Sequence, residues 1–247
     1  MRLDVFFAPN QVKPADTAGR LVIIVDVLRA STTVATALGN GAKTVIPLEG
    51  PDDVITRSKE FARSQTLLAG EQKMHPITGF DLGNSPQAFT PEVVEGKTIL
   101  LTTTNGTHAL LGVQGARDIV VASYVNFTAV LAMMRVAASS NTDIAIICAG
   151  EEGSFTLEDS ACAGRYVKAI PKRATLTIND AAAASVLIEK KYGDNIAKVF
   201  KESTHGQALQ SAGFGDDLAA AAEVDAYPVV PIWQDRQITK LGPERER

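Results

Sequence analysis

An aliphatic run, Leu21-Val22-Ile23-Ile24-Val25, ends in Asp26, and Arg29, Ser31, Thr32 and Thr33 follow before an Ala-rich helical pattern. A buried strand of this kind delivers an acid, a guanidinium and a helix N-terminus to one small volume. Helix N-termini offer unpaired N–H groups and a positive dipole end to anions. Arginine matches phosphate, sulfonate or carboxylate with a planar fork of donors. An acid beside such a pocket suggests a divalent metal, or chemistry on the bound anion. The same residues fit, about equally well, a strand end with a salt bridge and an N-cap.

Other segments combine loop formers with polar groups. Gly79-Phe80-Asp81-Leu82-Gly83-Asn84-Ser85-Pro86 reads as a turn-rich loop, with Ser85 held out of the helical region by Pro86. Asn84 and Ser85 are neutral donors suited to a carboxylate or sulfonate, or else to an internal Asx-type turn. Asn105-Gly106-Thr107 is a second signal of that type, where Gly106 lets backbone N–H groups approach an anion or simply makes a tight turn. Glu158 and Asp159 follow a glycine-bearing loop at the start of a helical pattern. Acids there suit a metal, or the dipole of a first turn.

These loops need elements to hold them. Strand patterns fall at Leu3–Phe7, Leu21–Asp26, Thr44–Pro47, Thr66–Ala69, Thr98–Thr102, Asp118–Ala122, Asp143–Cys148 and Thr175–Ile178. Helical patterns fall at Thr32–Gly39, Pro51–Arg63, Thr107–Leu111, Phe127–Ala138, Leu157–Ala169, Asp180–Lys191 and Asp217–Glu223, with Asp180 as an N-cap and Gly193 as a stop. Their alternation predicts an α/β protein, a layered α/β/α arrangement around a largely parallel or mixed sheet. Several strands are apolar throughout, as expected when both faces are covered. Val45 and Ile119 lie 74 residues apart, and at that offset Gly41-Ala42-Lys43 matches Gly115-Ala116-Arg117, Thr33 matches Thr107 and Ala35 matches Ala109. This is either an internal β-loop-α-β duplication or the chance likeness of two such units. No linker rich in Pro, Gly or Ser divides the chain, so residues 1–247 are read as a single domain, with Pro243–Arg247 a frayed tail.

The 247 residues are 45% hydrophobic and 21% charged, ordinary for a globular protein. A net charge of −4 and the lack of a Lys/Arg cluster argue against nucleic acid as a partner. Cys148 and Cys162 make no disulfide framework. With no signal-like start and no apolar run of spanning length, the expected location is cytoplasmic, away from membranes. Trp233 covers either a core edge or an oligomer contact, which leaves a homo-oligomer open.

Taken in order, Gly70-Glu71, the Gly79–Pro86 block, Thr102-Thr103-Thr104-Asn105-Gly106-Thr107, Cys148-Ala149-Gly150 and Leu157-Glu158-Asp159 resemble the 2-phosphosulfolactate phosphatase family. The resemblance runs from about Leu21 to Pro231. It implies hydrolysis of a small anionic phosphorylated substrate, 2-phosphosulfolactate, with Mg²⁺ as cofactor, a step on the archaeal route to coenzyme M. Protein nucleophiles of known phosphatases are not in evidence. Neither cysteine precedes an arginine loop, Asp26 lacks the Asp-x-Asp of aspartyl-phosphate enzymes, and His75, His108 and His205 lack an adjacent Arg.

Carboxylates remain. Asp26, Glu71, Asp81, Glu158, Asp159 and Asp217 all sit in or beside family-like blocks, and Mg²⁺ often takes only one or two of them. On this reading Asp26, Glu158 and Asp159 hold the metal, while Asp26, Arg29 and Asp159 carry catalysis by direct water attack. Arg29, Ser31, Thr32, Asn84, Ser85, Asn105, Gly106 and Thr107 bind substrate, and His205 keeps a small share in that contact. Two other functions compete: a non-catalytic anion-binding module, and a metal-dependent lyase or isomerase acting on a phosphorylated acid.

Overall fold

The computed structural model describes residues 1–171 and 176–242. Its strands are β1 (Arg2–Phe6), β2 (Leu21–Val25), β3 (Thr44–Pro47), β4 (Thr66–Gln72), β5 (His75–Pro76), β6 (Thr98–Thr102), β7 (Asp118–Ala122), β8 (Ile144–Cys148), β9 (Thr177–Ile178), β10 (Pro231–Gln234) and β11 (Gln237–Lys240). The α-helices are α1 (Pro14–Thr17), α2 (Ala30–Gly39), α3 (Pro51–Ser58), α4 (Pro91–Val94), α5 (Gly106–Leu111), α6 (Phe127–Ser139), α7 (Leu157–Ala169), α8 (Asp180–Tyr192), α9 (Ile196–Glu202), α10 (Thr204–Ser211) and α11 (Gly215–Ala221). The expected α/β class with a largely parallel, mixed sheet is what forms. Within the strand expected at Thr175–Ile178, Thr175 lies outside the described residues, as does the tail Pro243–Arg247. The N-cap of α8 is Asn179 rather than Asp180, because the Asn179 side chain accepts the Ala182 N–H, and Gly193 ends the helix as expected.

The sheet order is β5-β4-β6-β3-β11-β10-β7-β2-β8-β1-β9. Strands β7, β2, β8, β1 and β9 are mutually parallel, and so are β4, β6 and β3. The antiparallel β10–β11 hairpin joins the two groups, with β10 on β7 and β11 on β3, so the groups run in opposite senses.

Alternation along β2 shows how the layers stack. Leu21, Ile23 and Val25 enter a core shared with α6 to α9, whereas Val22 and Ile24 enter one shared with α2, α5 and strands of both groups. A strand with period-2 side chains covered on both faces has no polar side, hence its unbroken aliphatic run. Helix α2 is buried from Ala30 to Leu38, and a helix surrounded by protein has no polar stripe. Leu100 of β6 faces a third, smaller core under α3 with Ile46 and Val54.

The two stretches matched in the sequence fold alike, as β2-loop-α2-β3 and β6-loop-α5-β7. The Lys43 N–H donates to Lys97 O just before β6, and the Arg117 N–H donates to Arg20 O just before β2. Gly96 N–H to Gly41 O has its counterpart in Gly19 N–H to Gly115 O. Each unit therefore begins beside the end of the other, an approximate two-fold about the β10–β11 hairpin. The strand-to-helix loops of the two units open on the same cavity.

Helices α7 and α8 approach so closely that a methyl on Gly164 of α7 would run into the Ser185 carbonyl oxygen. Helix propensity favours Ala over Gly by about 1 kcal/mol. Overpacking against rigid backbone costs about 1–3 kcal/mol and should win. Gly164→Ala is thus expected to lower stability in urea unfolding, and an increase would contradict the packing described.

Candidate active site

A cavity of about 720 Å³ lies where the loops after β2 and β6 meet. The first loop contributes Asp26, Leu28 and Arg29, and the second Thr103, Thr104 and Asn105, with His108 beyond. Glu71, Gln72, Lys73 and Met74 come from the β4–β5 hairpin, Asn84 from the Gly79–Pro86 loop, Glu151 and Glu152 from the loop after β8, and His205 from α10. Carboxyl ends of strands gather ligands because loops and helix starts converge there. The two loops approach closely at Gly106, where a Cβ would stand 2.7 Å from Asp26 Oδ2 and 2.7 Å from Ala30 Cβ.

Asp26 is buried and organises the start of α2. Its Oδ1 accepts the Ala30 N–H at 3.1 Å, its carbonyl accepts the Ser31 N–H, and its own N–H donates to Ser31 Oγ. Oδ2 has no hydrogen bond among the described residues. Burial pushes the Asp26 carboxyl up to about 6; His205 and the Ala30 N–H oppose that shift, and Glu71 and Glu158 add to it.

Glu158 and Asp159, adjacent on α7, do different work. Glu158 Oε1 faces His205 Nδ1 at 3.1 Å, and its buried Oε2 has no partner among the described residues. Burial pulls the His205 imidazolium down, but the hydrogen bond and charge of Glu158, with Glu151 and Asp26, outweigh it and raise the group to about 9. His205 is therefore a cation at neutral pH. Asp159 uses both oxygens, Oδ1 for the Val27 N–H and Oδ2 for the Gly150 N–H and Thr156 hydroxyl. It ties the loops after β2 and β8 to α7. Burial, with Asp26 and Glu158 nearby, raises its carboxyl well above the ordinary range.

Arg29 is buried too. Nη1 donates to Asp217 Oδ2 at 2.8 Å, Nη2 donates to Met74 O at 2.7 Å, and the Phe214 ring centroid lies 4.3 Å from Cζ. Glu71 accepts the Thr104 N–H on one oxygen and the Met74 N–H on the other, pinning the hairpin tip to the loop after β6.

Of the residues expected to bind substrate, Arg29, Asn84 and Asn105 line the cavity. Asn84 Oδ1 is buried without a partner among the described residues, and Asn105 Oδ1 accepts the Glu152 N–H. Ser31, Thr32, Ser85, Gly106 and Thr107 stand behind the lining. Ser31 is bonded to Asp26, Thr32 to Val27 O and Ser123, Ser85 to Asp217, and Thr107 to Thr103. Lys73 and His108 line the cavity and were not foreseen, because an exposed Lys on a turn and a His on a short helix carry no distinctive pattern. Asp81, one of the family-placed acids, pairs instead with Arg63. Among the described residues no group of three or more His, Cys, Asp or Glu is arranged to hold a metal ion.

A family model described as 2-phosphosulpholactate phosphatase matches residues 6–236 of this chain. The chain belongs to the 2-phosphosulfolactate phosphatase family. Relatives described as probable 2-phosphosulfolactate phosphatases agree with this. One from Caldanaerobacter subterraneus subsp. tengcongensis is 37% identical over 94% of this chain and 95% of its own length. One from Symbiobacterium thermophilum is 38% identical over 93% and 98%, and one from Clostridium acetobutylicum 31% identical over 96% and 100%. Family membership thus covers all the loops that line the cavity.

Asp26 allows a test of the electrostatics. Folding raises its pKa from an ordinary 3.8 to about 6, so between those values the folded chain holds more protons than the unfolded one. Stability contributed by this group therefore falls as pH rises through that window, by roughly 3 kcal/mol at the limit. In chelator, Asp26→Asn should gain melting temperature over wild type as pH rises from 4 to 7. A difference that stays flat with pH would contradict the buried acid. Gly106→Ala should also cut activity sharply by pushing α5 away from Asp26, while wild-type kinetics would show that the close approach is dispensable.

Proposed function

We propose that this chain is an Mg²⁺-dependent phosphatase of small 2-hydroxy-acid phosphate esters, with 2-phosphosulfolactate as substrate and sulfolactate and phosphate as products. Support comes from family membership and, above all, from one observation. Asp26 Oδ2 and Glu158 Oε2, both without a hydrogen-bond partner among the described residues, belong to a buried group of acids beside a cationic His205. So many buried carboxylates, with an oxygen left free of protein donors, suit a hard cation better than an anion alone.

Mg²⁺ often takes only one or two protein carboxylates, so two would suffice to hold it here. On that ground we assign Asp26 and Glu158 to the ion, and Asp159, whose oxygens serve three protein donors, to holding the loop in place. When bound, the ion would neutralise phosphoryl charge and make water more acidic.

The chain's own residues supply the rest. Asp26 is oriented by the Ala30 N–H at Oδ1, which leaves Oδ2 without a protein donor among the described residues. His205, fixed through Nδ1 by Glu158, keeps Nε2–H for the ester or phosphoryl oxygen. Water attacks phosphorus as the P–O ester bond breaks, the leaving alkoxide takes a proton from His205, and the proton lost by the attacking water passes to the product phosphate and from it back to His205. Asn84 offers its amide to a substrate oxygen, its O and N ends being interchangeable by a flip of the side chain. Lys73 adds positive charge at the mouth. Positioning and charge neutralisation are what phosphoryl transfer mainly requires.

The test is phosphate release from a panel of 2-phospho acids, with metal stripped and with Mg²⁺ or Mn²⁺ restored. Release is expected with metal only, with 2-phosphosulfolactate among the best substrates. Full turnover in excess chelator would refute the metal, and binding without release would favour the anion-binding module.

A further inference from the structure

We propose that Asp217, assisted by Phe214, is a positioning residue that sets Arg29 to read the substrate's second anion, the sulfonate or carboxylate, rather than the phosphoryl group. The inference rests on the phosphatase reading above and names the specificity device of that site.

Arg29 and Asp217 side chains are only 3% and 4% exposed. Their ion pair is thus a committed arrangement, with Asp217 brought in by α11 from 188 residues away. Asp217 has no spare oxygen, since Oδ2 takes Arg29 and Oδ1 takes the Ser85 hydroxyl at 2.5 Å. The guanidinium is held on three sides, by Asp217, by Met74 O and by the ring of Phe214. Its Nε–H and one N–H on each terminal nitrogen make no hydrogen bond to the described residues, and Arg29 lines the cavity. A planar fork fixed in this way presents donors in one orientation.

Charge decides which anion it suits. Asp217 offsets the positive charge of Arg29, so the pair brings directed donors and little net charge. A sulfonate or carboxylate carries a single negative charge and needs direction more than neutralisation. The phosphoryl group carries more charge, and the cavity also presents Asp26, Lys73 and His205, none of which is a hydrogen-bond partner of Arg29.

Asp217→Asn keeps the shape but removes the charge, while Phe214→Leu leaves the ion pair and removes the ring. The uncompensated Arg29 of Asp217→Asn attracts every anion, so the readout is a ratio. It is kcat/KM for 2-phosphosulfolactate over kcat/KM for 4-nitrophenyl phosphate, which has no second anion. The ratio is expected to fall at least about tenfold in Asp217→Asn and by a smaller factor in Phe214→Leu, mostly through KM for 2-phosphosulfolactate. A ratio unchanged in both variants, or equal losses on both esters, would overturn the proposal. Should Asp217→Asn fail to fold, Phe214→Leu carries the test alone. If wild type releases phosphate from neither ester, the phosphatase reading fails, and binding then decides the inference. Sulfolactate should raise the melting temperature of wild type but not of the variants, while inorganic phosphate raises all of them. Equal sulfolactate shifts in wild type and variants would reject the role of Asp217.

Discussion

Everything in the site answers to one constraint, the burial of carboxylates at the carboxyl end of β2. Asp26, Glu71, Glu158 and Asp159 are all less than a tenth exposed. Charges taken out of water must be paired, hydrogen-bonded or protonated. The chain uses several of these routes. Asp159 and Glu71 are satisfied by N–H and hydroxyl donors from loops, which they fix in turn. Glu158 is paired on one oxygen with His205. Among the described residues the Asp26 carboxylate is held by a single N–H and shifted to about 6, and one oxygen of Glu158 is left without a partner. Those two atoms are where the folded chain remains incompletely compensated, and the proposed chemistry is located there.

The architecture explains how loops so distant in sequence reach that point. Two β-loop-α-β units, interleaved about a C-terminal hairpin, bring one loop each to the cavity. The first supplies the acid and guanidinium, Asp26 and Arg29. The second supplies Thr103 to Asn105 and the small Gly106 that lets α5 lie against Asp26. Equivalent backbone positions therefore carry different chemistry. The C-terminal helices close the arrangement, with His205 meeting Glu158 and Asp217 meeting Arg29.

Much of this was legible in the sequence where pattern and physics coincide. The unbroken aliphatic run of β2 marks a strand covered on both faces, and Leu157–Ala169 is a helix with the bounds its pattern suggests. The repeat was visible at one offset, 74, in its second half only. Gly19 and Arg20 match Gly96 and Lys97 at 77, and the three-residue difference falls between those residues and the helices that follow. Hairpins were harder to see. The β4–β5 turn places Lys73 and Met74, and the β10–β11 turn Asp235 and Arg236, at positive φ, where Asn-Gly is the usual signal. A reader looking for glycine misses both, and with them the strands that complete the sheet. Site residues divided in the same way. Arg29 and the acids announced themselves by spacing, but only packing could show that Ser31, Thr32 and Thr107 brace loops behind the lining, or that Asp217 reaches Arg29.

The central claim is that the buried acids around Asp26 form a divalent-cation site serving a phosphate ester. Calorimetric titration of Mg²⁺ into metal-stripped protein, in wild type, Asp26→Asn and Glu158→Gln, addresses it without relying on turnover. A saturable Mg²⁺ site is expected in wild type, strengthened by added inorganic phosphate and weakened at least about tenfold by either substitution, because a hard cation loses a charged ligand. Equal Mg²⁺ affinity in all three proteins, or no binding in wild type with phosphate present, would contradict it.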